Sequence, residues 1–147
     1  MCKFALVMLV LCAAAHARNE TLEEMRARAD HAHGGDQAKL CIEYAHAELE
    51  HANYLYTKGD VEQGQAAVAS VMEYARKGAA AATSSGKRLK QTEIELRKLE
   101  HRMKDIGDSL SLDDRPPVMK NVDELEQVRT SLLTAMWGAQ AEPKTKP

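Results

Sequence analysis

Aromatic residues are scarce in this sequence: one Trp, four Tyr and one Phe among 147 residues. A chain so poor in aromatics, and rich in Ala, Leu and Glu, suits helix packing and not a β-sandwich. Glycine (8) and proline (4) are also few and cluster at apparent joints, which argues against bulk disorder. An excess of one charge is missing too. Twenty Lys and Arg against 22 Asp and Glu leave a net charge of -2, so no overall field draws in nucleic acid. Catalytic signatures are absent: there is no Gly-rich phosphate loop, no Cys-x-x-Cys, no His-Glu-x-x-His and no Gly-x-Ser-x-Gly. The many carboxylates fall on expected helix surfaces beside Lys and Arg, with nothing to push the pKa values of a pair apart. Neither an enzyme nor a cofactor is expected, and the length suffices for one domain with a modest core.

Only one long apolar run occurs, and it lies at the start. Lys3 gives a short positive beginning, Phe4 to Ala15 is continuously apolar, and Ala15-His16-Ala17 matches a small-x-small cleavage site. Residues 1–17 therefore read as a signal peptide, too short for a permanent span of a ~30 Å hydrocarbon core. A lipid-anchored Cys12 or a buried first helix are the alternatives. No other stretch is apolar enough to cross a membrane. The expected location is outside the cytoplasm, periplasmic or extracellular. Cleavage after Ala17 removes Cys2 and Cys12 and leaves Cys41 as the single thiol, so no internal disulfide can form. Cys41 is then a buried small hydrophobe, an intermolecular bridge or a reactive thiol.

What is present is helical periodicity. Ala38, Cys41, Ile42, Ala45, Leu49, Ala52 and Tyr56 recur at i, i+3/i+4, while Lys39, Glu43, His46, Glu50, Asn53 and Thr57 make the opposite face polar. Gly59 ends this arm, and Asp60 with Gln63 forms a capping box for the next. The second arm carries Val61, Gly64, Val68, Val71, Met72, Ala75 and Ala79 on one side, several of them small enough for close helix approach. An antiparallel helical hairpin over 36–84, turning at Lys58-Gly59-Asp60, is the centre of the expected fold. With small residues at Ala52 and Gly64, and Leu55, Gly59, Val61 and Gly64 at matching offsets, the turn and its flanks resemble one tetratricopeptide-type hairpin, a family with a period of about 34 residues. The wider chain is similar to small secreted bacterial helical proteins with no assigned activity.

Before the hairpin, Thr21-x-x-Glu24 is a capping box for a short helix with Leu22, Met25 and Ala29 on its apolar stripe. Gly34-Gly35 should stop it near His33, and Asp36 should cap the first arm. His31, His33, His46 and His51 crowd this region, and Glu43-Tyr-Ala-His46 and Glu48-Leu-Glu-His51 share the Glu-x-x-His spacing of di-iron bundles. Such a site needs the motif on two helices, and here both copies lie on one. The residues that could hold zinc or copper are His33, Glu43, His46, Glu50 and His51; a solvated face is the other reading.

Thr83-Ser84-Ser85-Gly86 is expected to break or kink the chain. Over 87–106, Leu89, Leu96, Met103 and Leu110 hold one heptad position, and Thr92, Leu99 and Ile106 hold its partner. Such a seam needs a facing helix, within the monomer or in a second copy. Glu93 with Arg97 and Glu100 with Lys104 are correctly ordered i, i+4 pairs. Residues 107–121 read as a loop stiffened by Pro116-Pro117. Asn121-x-x-Glu124 caps a closing helix over 122–137, whose stripe is Val122, Leu125, Val128, Leu132, Leu133 and Met136. Trp137 should pack on the bundle end, ahead of a mobile polar tail over 139–147.

The expectation is one all-α domain over 18–138 with about five helices. Its expected role is a non-catalytic interaction or structural module of the cell envelope, with a protein partner or self-association and no nucleic acid. A weak metal-binding protein using His31–His51 is the alternative.

Overall fold

Five helices and no strand make up the described part of the chain, residues 20–141 of a computed structural model. They are α1 (Leu22–His31), α2 (Gly34–Thr57), α3 (Val61–Ser85), α4 (Leu89–Ser109) and α5 (Arg115–Ala141). The all-α expectation holds. Residues 1–19, with the expected signal peptide and Cys2 and Cys12, and residues 142–147 lie outside the described residues.

The hairpin forms where its periodicity places it. Gly59 takes φ +79°, a conformation that costs a side-chain-bearing residue ~1–2 kcal/mol, and the Asp60 carboxylate accepts from the Gln63 N–H at 3.2 Å. Ala38, Cys41, Ala45, Leu49 and Ala52 of α2 are fully buried against Val68, Val71, Met72 and Ala75 of α3. Glycines set the spacing of the two helices. A Cβ at Gly64 would sit 2.9 Å from the Tyr56 ring, and one at Gly78 would sit 2.9 Å from Ile42 Cδ1. At 24 and 25 residues, these arms are longer than a ~34-residue repeat accommodates.

Helix ends depart from expectation in five places. α2 begins at Gly34, not after an Asp36 cap; Asp36 lies in the first turn, where its charge still meets the positive helix end. Thr83 and Ser84 do not break α3. Their hydroxyls donate back to the Ala79 and Ala81 carbonyls, and the helix runs to Ser85 before Gly86 ends it at φ +66°. Gly107 does not end α4; it packs against Met119 and Val118. The expected loop 107–121 shrinks to Leu110–Asp114. Pro116 and Pro117 occupy the first turn of α5, where a missing N–H costs nothing, and Asn121 is interior, donating to the Pro117 carbonyl at 2.9 Å. The closing helix thus covers 115–141, and residues 139–141 belong to it and not to a tail.

The heptad seam is satisfied within the chain. Leu96, Leu99 and Met103 are fully buried and Ile106 nearly so, with α4 packed on α2, α3 and α5. Glu93, buried on α4, takes Arg97 at 2.6 Å and Arg129 of α5 at 3.5 Å, and Arg129 also holds Glu100 at 3.0 Å. Glu100 is therefore committed to α5, and Lys104 pairs with Asp108 instead. Trp137 is 69% exposed, contrary to expectation. At about 100° per residue it lies ~140° round the helix from Leu132, off the buried stripe of Val118, Val122, Leu125 and Leu132.

Candidate functional site

α2 and α4 run parallel. Asp36 faces Arg88 at 4.0 Å, His46 faces Glu95 at 3.5 Å, and Glu50 faces Arg102 at 2.6 Å, so both numberings climb together. Between their first halves lies a groove of about 470 Å³, floored by Ala38 and Ile42. Lys39, Glu43 and His46 form the α2 rim; Arg88, Gln91, Thr92 and Glu95 form the α4 rim.

The rims carry opposite charges in order. Arg88, 4.0 Å from Asp36, marks the end where α4 begins, and Lys39 lines the same groove. Arg88 has the one positive φ (+60°) of any non-glycine among the described residues and gives α4 no side-chain cap. The first turn of α4 holds no acid. Its first N–H groups and its dipole add positive charge to that end, beside the Arg88–Asp36 pair. Two turns along α4, Glu95 and His46 close the other end. Glu95 accepts from Gln91 at 3.0 Å and from Lys98 at 2.9 Å, which fixes its carboxylate.

Two polar groups in the groove are unmatched. The His46 Nε2 is enclosed and makes no hydrogen bond, since 3.5 Å to Glu95 is too long for one. Burial lowers the His46 pKa, assisted by Lys98 and opposed by Glu95 and Glu50, so the ring is neutral at pH 7. Thr92 is 3% exposed, and its hydroxyl has no hydrogen-bond partner among the described residues.

The metal candidates do not converge. Glu43 and His46 line the groove, Glu50 is held by Arg102, His51 lies 3.7 Å from Glu48, and His33 is an exposed residue ahead of α2. Among the described residues, no three His, Cys, Asp or Glu side chains form a group that could hold a metal ion.

A second titratable cluster joins α1 to the hairpin. The buried Tyr74 hydroxyl donates to Asp30 at 2.9 Å and accepts from Arg26 Nε at 3.0 Å, while Lys77 pairs with Asp30. The Tyr44 ring meets Tyr74 edge-on at 4.5 Å, and its hydroxyl pairs with Ser70 at 3.1 Å. Each of these polar groups is partnered, and the cluster acts as a clamp. Cys41 is fully buried, and desolvation pushes its thiol up to about 11. A thiol so placed is a packing residue at neutral pH.

Sequence reasoning singled out the α2 half of the groove through its histidine and glutamate spacing. It missed Arg88, Gln91, Thr92 and Glu95. The available signal was Thr92, a polar residue at a heptad position that otherwise holds Leu99 and Ile106. No protein-family model, curated protein or solved structure matches the chain.

Proposed function

We propose that the chain is an exported, non-catalytic binding module of the cell envelope whose contact surface is the α2–α4 groove. One observation carries this reading. Two parallel helices hold open a groove of about 470 Å³ with charged and polar side chains from both rims. That volume and that mix of an apolar floor with a few fixed polar groups are those of ligand sites. The heptad seam is spent on internal packing, so it is not offered to a second copy. Export rests on the apolar leader ending at Ala17.

Gln91 is exposed at the groove mouth, so Gln91→Trp should cover the groove without entering the core. A panel of amino acids, short peptides, sugars and phosphates is screened against both proteins by NMR. Ligands that bind the parent and lose affinity at least tenfold on Gln91→Trp, with the thermal midpoint unchanged, support the reading. Ligands that bind both proteins equally overturn it.

A further inference from the structure

We propose that the α2–α4 groove takes a short peptide with free termini, its carboxylate at the Lys39–Arg88 end and its ammonium at the Glu43–Glu95 end. This rests on the groove being the binding surface and goes on to name what it binds.

The assignment follows from how the charges are laid out. Arg88 and Glu95 lie two turns apart on α4, a rise of ~10 Å. An extended peptide advances ~3.5 Å per residue, so two or three residues reach from one charge to the other. Lys39 and Glu43 repeat the same polarity on α2, one turn apart, and face each other at 3.6 Å. Each of these charges also has a partner on the protein, Asp36 for Arg88 at 4.0 Å, Glu43 for Lys39 at 3.6 Å and Lys98 for Glu95 at 2.9 Å, and a ligand bearing one charge would compete for one end only. A zwitterion satisfies both.

Each end also shows a reason to prefer its partner. At the cationic end, α4 starts without a side-chain cap or an acid in its first turn. Its N–H groups, the Arg88 guanidinium and the unmatched hydroxyl of the 3% exposed Thr92 are the donors offered to a carboxylate beside the Ala38–Ile42 floor. At the acidic end, Gln91 and Lys98 hold one oxygen of Glu95, leaving the other near the neutral His46 ring with no true hydrogen bond. An ammonium carries three donors and fits that oxygen together with Glu43. Between the ends, Ala38 and Ile42 present carbon to the peptide's own carbons.

Calorimetry on the full chain at pH 7 tests this with four probes: trialanine, its N-acetyl form, its C-terminal amide and the doubly blocked peptide. Trialanine should bind, and blocking either terminus should weaken binding at least tenfold. Arg88→Gln should remove the preference for the free carboxylate and keep that for the free amine. Glu95→Gln should do the reverse. Both side chains lie on the rim, and circular dichroism checks that each variant folds. Equal affinity for all four peptides overturns the proposal, as does inorganic phosphate binding as tightly as trialanine. If trialanine does not bind but another ligand is lost on Gln91→Trp, the peptide assignment fails and the groove reading stands. If Gln91→Trp affects no ligand, both fail.

Discussion

Replacing Gly78 by alanine sets two calculable effects against each other. Gly78 lies inside α3, where alanine is the better helix former by ~1 kcal/mol. The new Cβ would meet Ile42 Cδ1 at 2.9 Å, Ile42 Cγ1 at 3.0 Å and the Ala38 carbonyl oxygen at 3.2 Å. The end of Ile42 can rotate away, but the carbonyl belongs to the α2 backbone and moves only if the helices part. Overpacking of this kind costs ~1–3 kcal/mol, and the backbone contact places it in the upper half of that range. The net expectation for Gly78→Ala is a loss of ~1–2 kcal/mol, a fall of roughly 3–8 °C in melting midpoint for a domain of this size. Gly138→Ala is the control: nothing lies within 4 Å of its Cβ position on α5, so its midpoint should hold or rise. Urea denaturation followed by far-UV circular dichroism measures both. The steric account of the α2–α3 spacing is refuted if Gly78→Ala is as stable as the parent. Because Ile42 also floors the groove, the same variant should weaken any ligand bound there.

Three further outcomes follow. Cys41, fully buried with its thiol at about 11, should resist iodoacetamide in the folded chain and react at the rate of global opening; rapid native alkylation would contradict its burial. His46 has a lowered pKa in the fold, so the unfolded chain binds its proton more readily, and stability should fall as pH drops below about 6.5. Glu43 and Glu50 on α2 and Glu95 and Lys98 on α4 are the charged groups around the ring, and His46→Gln should flatten this part of the stability curve; an unchanged curve would remove His46 as its cause. Trp137, 69% exposed, should emit like free tryptophan in the native state and shift little in urea, whereas a blue-shifted native spectrum would place it in contact with apolar surface.

Periodicity made the hairpin legible. Seven residues from Ala38 to Tyr56 repeat at helical spacing, and all seven are buried, because one stripe facing one partner leaves a regular trace. The heptad seam from Leu89 to Leu110 was equally readable, although nothing local in it tells an internal partner from a second copy. Helix ends were harder. Pro116-Pro117 reads as a stop when it is taken as the middle of a segment and as a start when it falls in a first turn, and which holds depends on Val118 finding the core. Hydrophobicity alone places Trp137 against the bundle, whereas its angle on α5 turns it away from the buried stripe. Only half of the groove was visible. Glu43 and His46 share one helix and a recognisable spacing, whereas Thr92 and Glu95 come from a helix far along the chain, beside them only through the parallel packing of α2 and α4.

The most direct test of the groove is a ¹H–¹⁵N spectrum of the full chain titrated with trialanine. Shifts concentrated on Ala38, Ile42 and His46 of α2 and on Gln91, Thr92 and Glu95 of α4 are the predicted result. A saturating peptide that leaves those six signals in place, or that moves only residues around Tyr54, Leu112 or Trp137, would contradict it.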